Sequence, residues 1–320
     1  MIKPTVSIVI VCMNNMQNLR PCLNSIKAHT TVSYETLVVA YLFSDENLKK
    51  VRSEYPWVQV IESHEIRGFS ENNNLALRQA SGEFCFVLND DTEMNEPVID
   101  RLVETIRTLP DYVAIVSPKL VYPNGEVQCC GRPPMNWKTY LLHKFNLWSE
   151  ERGEGVGGEG VFMSYNIVGA AFLIKKDVFE REGWFDEYYF FCPEDVVLST
   201  KLNKKGYKCF VNADVKLVHY EGMSGKTLSD IQTATKPAGV VGALHFYSGG
   251  NRALFYFLGV LTYFATLQKF LLHLFLGSLK PKPNLNSVMA IGDWNTLCSI
   301  FSKKTPKSLF MHYYKRIRPQ

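Results

Sequence analysis

Asn89, Asp90 and Asp91 form the group best suited to chemistry in this chain of 320 residues. Two adjacent carboxylates repel each other unless a cation or hydrogen-bond donors offset them. Carboxylate and amide oxygens, with the hydroxyl of Thr92, suit a hard divalent ion such as Mg2+ or Mn2+ that is shared with substrate phosphates. The group follows Phe84-Cys85-Phe86-Val87-Leu88, a short apolar run after a Ser81-Gly82 break, which predicts a buried central strand. Ligands of open α/β sheets bind beyond the carboxyl ends of such strands. A plain polar turn, with Asp and Asn as turn and cap residues, accounts for the same letters.

Two further segments carry polar groups at helix starts. Gly68-Phe69-Ser70 opens a helix with Ser70 as its expected N-cap, and Glu71-Asn72-Asn73-Asn74 makes a very polar first turn. Those asparagines either contact a ligand's hydroxyls or cap the helix. Pro193-Glu194-Asp195 begins another helix. A carboxylate on a first turn is favoured by the helix dipole and stays ionised, as a general base must. Simple capping is the competing explanation for Asp195.

The elements that must position these groups alternate. Val6–Val11, Tyr34–Ala40 and Trp57–Ile61 predict strands, separated by helical patterns through Leu19, Cys22, Leu23 and Ile26 and over Ser44–Glu54. Alternation of this kind predicts a doubly wound, mostly parallel sheet. Asn95 and Pro97 start an amphipathic helix through Val98, Leu102, Ile106 and Leu109 that should cover the sheet. Val113–Val116 is a strand, 117–160 an irregular stretch, Asn166–Ile174 a strand, and Tyr207–Val218 a β-rich edge ending in His219. Gly155-Val156-Gly157-Gly158-Glu159-Gly160 matches a dinucleotide fingerprint in letters only, because Glu150-Glu151-Arg152 precedes it where a buried strand is required. A mobile loop near an acceptor is the better expectation there. Gly225-Lys226-Thr227 fails as a phosphate loop, since Tyr220 stands where that motif needs glycine.

A formal net charge of +4 is too small to imply nucleic acid. It is unevenly spread: Lys280, Lys282, Lys303, Lys304, Lys307, Lys315, Arg316 and Arg318 follow Leu279 against Asp293 alone. Such a tail suits an anionic membrane surface. Ala253–Gly277 is almost wholly apolar, broken by Gln268, Lys269 and His273. It is long enough to span a bilayer, yet a mid-segment lysine is costly in hydrocarbon. A helix or helix pair lying in the membrane interface is preferred over a core or oligomer helix and over a true span. No signal peptide is visible, and the eight cysteines lack a Cys-x-x-Cys pair, so reduced core thiols in a cytoplasmic protein are expected.

Taken in order, Val6 to Asn14, Gly68-Phe69-Ser70 with Asn73-Asn74, Leu88 to Thr92, Gly169-Ala170-Ala171-Phe172, Gly183 to Glu187, Glu194-Asp195, and His219 with Ser224 resemble a family 2 glycosyltransferase of the GT-A fold, rhamnosyltransferase-like. The resemblance implies a Rossmann-like α/β domain over residues 1–230, a nucleotide-sugar half to about 120 and an acceptor half beyond, with a helical apolar and basic extension over 231–320. It implies an inverting, metal-dependent transfer from a nucleoside-diphosphate sugar to a glycan or lipid-linked glycan, at the inner face of a membrane. Asn14, Gly68, Phe69, Asn73, Asn74, Asn89 and Asp90 would then contact the donor, Asp91 and His219 the Mn2+ or Mg2+ ion, and Asp195 would be the base. The chain departs from the family at Ala40, where an Asp usually meets the nucleotide base, at Ile66 before Arg67-Gly68-Phe69, and at Val197, where a second acid is common. Two other readings are a catalytically silent sugar-nucleotide or glycan binder and a sugar nucleotidyltransferase. The latter needs a Gly-rich basic loop where this chain has Cys12-Met13-Asn14-Asn15.

Overall fold

The structure, a computed structural model, describes residues 3–220, 229–279, 281 and 284–317. The expectations on Ser224, on Gly225-Lys226-Thr227 and on Lys280, Lys282 and Arg318 lie outside the described residues. The chain divides into two compact units, one of residues 1–134, 150–186 and 195–224, the other of 135–149, 187–194 and 225–320.

The first unit begins with β1 (Val6–Met13), α1 (Met16–His29), β2 (Tyr34–Tyr41), α2 (Asp45–Glu54), β3 (Val58–Ser63), α3 (Phe69–Leu77) and β4 (Phe84–Asn89). It continues with β5 (Thr92–Glu93), α4 (Val98–Thr108), β6 (Val113–Val121) and β7 (Val127–Cys129). Helix α5 (Trp137–Lys144) belongs to the second unit, after which come β8 (Val161–Ser164), β9 (Ala171–Lys175), α6 (Lys176–Arg181), α7 (Glu194–Lys204) and β10 (Lys208–His219). One sheet joins the strands in the order β3-β2-β1-β4-β9-β6-β10-β5, with β7 on β6 and β8 on β10. β1 pairs parallel with β2 and β4, whereas β9 runs antiparallel between β4 and β6.

Alternation of side chains along each strand fixes what the two faces bury. Ile8 and Ile10 face one core with Leu19, Leu23 and Leu102, while Val9 faces another with Val87, Leu77 and Phe179. The sheet is therefore doubly wound, as the alternating pattern predicts. Three expectations need correction. The strand expected from Asn166 starts only at Ala171. The stretch 117–160 contains the end of β6, all of β7 and α5, and β10 is no edge, because β6, β8 and β5 all pair with it. Strands of two to four residues such as β5 and β8 are too short to show a period of two. Of the cysteines, Cys12, Cys22, Cys85, Cys130 and Cys209 are buried as expected, but Cys192 and Cys298 are exposed.

The second unit adds α8 (Ser229–Ser248), α9 (Arg252–Ser278), α10 (Leu285–Leu297) and α11 (Pro306–Ile317). Among the described residues α9 alone is long and apolar enough to cross a membrane. Its buried stripe is made mostly of small residues, with Leu258 the large side chain among them. Gly259, Thr262, Ala265 and Thr266 are buried, while Phe257, Phe264, Leu271 and Phe275 are each more than half exposed. Thr262 Oγ1 lies 3.2 Å from Tyr140 Oη, and Thr266 Oγ1 donates to Thr262 O.

Gly82 is one position of the first unit that tolerates no side chain. Its N–H donates to Ser7 Oγ, and a Cβ would stand 2.6 Å from Ser7 N and 2.9 Å from Phe84 O. Gly82→Ala is expected to destabilise the protein by about 1–3 kcal/mol, the usual range for overpacking, measured as a lower midpoint in urea.

Candidate active site

The first-unit site grows from the end of β4. Asn89 N donates to Ala170 O at 2.8 Å, and its own carbonyl accepts from Thr92 Oγ1 at 2.7 Å. The chain then turns into β5, whose Thr92 pairs opposite His219 at the end of β10. This pairing puts His219 Nε2 3.3 Å from Asp91 Oδ1, while Tyr220 N donates to Asp91 O. On its other side His219 Nδ1 donates to Gln128 Oε1 at 2.8 Å. Nε2 and the carboxylate oxygen thus face each other at a spacing where a proton or a cation joins them.

Asp90 and Asp91 are both nearly buried, at 6% and 7% exposure. Burial pushes Asp90 up to about 7; the Cys12 thiol, donating to it, opposes the rise, and the neighbouring charge of Asp91 adds to it. Among the described residues Asp90 Oδ2 has no partner. This donor set fits a hard divalent ion: a carboxylate from Asp91, an imidazole whose far nitrogen is held by an amide oxygen, and an unmatched buried oxygen beside them. Among the described residues no three His, Cys, Asp or Glu side chains make a closed metal cage. Mg2+-type sites take only one or two carboxylates and fill the rest with water and substrate phosphate oxygens.

Asp195 is tied to the same strand end. One residue before Ala170, Gly169 N donates to Asp195 Oδ2 at 3.3 Å, and a Cβ on Gly169 would touch Asp195 Cβ and the Phe69 ring at 3.7 Å. Arg132 Nη1 donates to the same Oδ2 at 2.8 Å and to Ile167 O. Glu150 grips the rest of the guanidinium through Nε at 2.6 Å and Nη2 at 2.9 Å. Burial opposes the charge on Arg132, but Asp195 and Glu150 outweigh it and raise its pKa. Asp195 Oδ1 accepts from Val196 N at 2.7 Å. The carboxylate is thus oriented by an arginine and two backbone amides.

Arg132 and Glu150 went unread in the sequence, since both fall in the stretch expected to be irregular. The faint signal was Gly131: it has φ +84, and a Cβ there would meet Gly155 O at 2.3 Å. The glycine-rich segment beginning at Gly155 therefore packs against the residue next to Arg132.

The remaining predicted residues serve mainly as joints. Asn14, at φ 51, accepts from Ser44 N and Asn47 Nδ2 and so ties the loops after β1 and β2. Gly68, not Ser70, caps α3, because Gly68 N donates to Glu71 Oε2 while Ser70 lies buried within the helix. Asn73 Nδ2 bonds Phe69 O, and Asn74 exchanges two bonds with the backbone of Phe185. Phe69 packs edge-on against Phe185. The arrangement brings Asn89, Asp90, Asp91, His219, Phe69 and Asp195 around the ends of β4 and β9, with Asn73 and Asn74 buried in support. Val197 is buried and supplies no second acid.

Residues 7–145 match the family described as Glycosyl transferase family 2. Over 237 residues, 69% of the chain, it is 27% identical to the O-antigen biosynthesis protein RfbC of Myxococcus xanthus, of which it covers 18%. Over 127 residues, 38% of the chain, it is 27% identical to Glycosyltransferase AglE of Haloferax volcanii, covering 42% of that protein. The chain thus spans less than half the length of either relative. Among solved structures it resembles the mannosyltransferase PcManGT of Pyrobaculum calidifontis in complex with GDP-Man and Mn2+, with TM-score 0.54 and 17% identity over 95% of this chain and 89% of that one. It also resembles GalNAc-T7 with UDP, GalNAc and Mn2+, with TM-score 0.54 and 18% identity over 68% of this chain and 44% of that one. The resemblance to family 2 glycosyltransferases and the GT-A type of fold are both borne out.

The raised pKa of Asp90 makes the metal-free protein pH-sensitive. Its folded value of about 7 exceeds the ordinary carboxyl value, so its contribution to stability is full below pH ~4 and is lost as pH rises through ~7. Asp90→Asn copies the protonated form. Its melting temperature should change less across that window than that of wild type, and parallel profiles would show that Asp90 is not the group responsible.

Proposed function

We propose that this chain, whose residues 7–145 match family 2 glycosyltransferases, moves a sugar from a nucleoside-diphosphate sugar to a hydroxyl of a glycan or lipid-linked glycan during polysaccharide synthesis. The observation that carries the proposal is the backbone link Asn89–Ala170–Gly169–Asp195, which couples an acidic strand end to an oriented carboxylate. Asp91 and His219 would hold a divalent ion, which when bound offsets negative charge on the nucleoside diphosphate. Asp195 accepts the acceptor hydroxyl's proton as the new oxygen–carbon bond forms at the anomeric carbon. The bond to the diphosphate breaks on the opposite face, so configuration inverts. Support comes from the O-antigen biosynthesis role in the name of RfbC and from the nucleotides and Mn2+ held by PcManGT and GalNAc-T7. Fixing Asp195 with Arg132 and Gly169 N–H spares the transition state the cost of orienting its base.

Asp195→Asn keeps the size and the hydrogen-bond acceptor but cannot take the proton. Transfer should fall about 100- to 10,000-fold while donor affinity holds. Asp91→Ala should instead abolish metal-dependent donor binding in calorimetry. A loss below about tenfold in the first variant, under the range for a general base, would remove Asp195 from that role.

The proposal extends to location at the inner face of the membrane. The exposed aromatic and aliphatic face of α9 is of the kind that lies in a bilayer interface, and it is the face a water-soluble helix would hide. Phe264 and Leu271 are 58% and 55% exposed, so Phe264→Glu with Leu271→Glu should leave the melting temperature nearly unchanged. The double variant should shift from the membrane fraction to the supernatant. Unaltered sedimentation would sink the assignment of this face.

A further inference from the structure

The second unit conceals a group of cations in excess of their counter-charge. Asp293 of α10 is fully buried, its Oδ1 held by Lys236 Nζ of α8 and its Oδ2 2.6 Å from His273 Nδ1 of α9. Lys269 stands one turn before His273 and so shares its face of α9. Lys144, at the end of α5, lies over the Tyr140 ring. Tyr140 in turn touches Thr262, two turns before Lys269, which aligns α5 with α9 and directs Lys144 to the same place. Burial first, and then the charges of Lys269 and Lys236, pull Lys144 down to about 8; burial and Lys236 lower Lys269 as well. Among the described residues neither Lys144 nor Lys269 bonds a carboxylate. Lys236, Lys269 and His273 thus gather about one acid, and Lys144 adds a cation that this acid does not reach.

Crowded, partly desolvated ammonium groups are unfavourable unless an anion satisfies them. Beside them runs a groove of about 410 Å3 between α9 and α10, walled by Phe270, Leu274, Ile291 and Trp294, with His273 in its lining. An apolar groove with His273 in its lining, on the helix that also carries Lys269, matches an apolar chain that ends in an anion. We propose that this unit binds a phosphate-bearing membrane lipid, its hydrocarbon in the α9–α10 groove and its phosphate at Lys144, Lys269 and the Lys236–His273 pair. The proposal rests on the membrane location given above, and it names the lipid chemistry that the location would use.

Full-length protein is to be sedimented with phosphatidylcholine vesicles with and without phosphatidic acid. Phosphatidic acid should strengthen binding, and Lys269→Gln or Lys144→Gln should each lose about fivefold of that gain, the amount one lysine contributes at an anionic surface. Binding to neutral vesicles should not change. Without lipid, Lys269→Gln should raise the melting temperature, because it removes a crowded charge. Exposed Lys303→Gln is the control and should lose less. Full preference for phosphatidic acid in both the Lys269 and the Lys144 variant, or an equal loss in the control, would overturn the proposal. Absence of binding to every vesicle would count against the membrane reading alone. The site is then judged in solution, where short-chain phosphatidic acid should raise the melting temperature of wild type more than inorganic phosphate or short-chain phosphatidylcholine does. Equal shifts from inorganic phosphate would overturn the lipid assignment.

Discussion

Two neighbouring carboxylates held almost out of water at one strand end are the constraint to which the first unit is built. In a medium of low dielectric, like charges a residue apart cannot both stay ionised unless something offsets them. Folding answers only in part: it raises Asp90 toward neutrality and brings His219 to Asp91. Bringing it there requires a long β10 that runs the depth of the sheet and a β5 of two residues to receive its end. The residual mismatch is an orphan oxygen on Asp90 among the described residues, so the strand end is left short of hydrogen-bond donors. A strand end fully satisfied by protein groups would fold more firmly and bind less.

The second carboxylate is handled differently. Asp195 meets an arginine that another acid also grips, so one positive charge serves two negative ones within a partly buried network. Such a triad gives orientation more than stability, because desolvating its three members consumes much of what their attraction returns. The antiparallel insertion of β9 between β4 and β6 adds the structural half: it presents Gly169, with no side chain in the way, between Phe69 and Asp195.

What could be read from the sequence follows the range of the interactions involved. β1, β2, β4 and α4 were legible because their periods repeat over six or more residues. Asp91, Asp195 and His219 stand out in the sequence as polar residues at element ends, and the structure sets His219 beside Asp91. Arg132 was not legible, since its meaning lies in a partner 63 residues away across a stretch without periodicity. Polar letters on the first turn of α3 suit either contact with a ligand or capping, and the structure adds a third use: Asn74 is fully buried and bonds the backbone of Phe185, a role that no local pattern distinguishes from the other two.

Helix α9 shows how burial can reverse the significance of a residue. Lys269 and His273 counted against a membrane-facing helix, because a charge in hydrocarbon is expensive. They lie on the same side as Thr262 and Thr266, turned toward Asp293 and the other helices of their unit, which leaves the lipid-like side chains outermost. Polar groups packed inward and apolar groups outward is the arrangement of helices whose solvent is a bilayer. His273 thus contacts Asp293 inside its own unit, while the large apolar side chains of the helix face away from it.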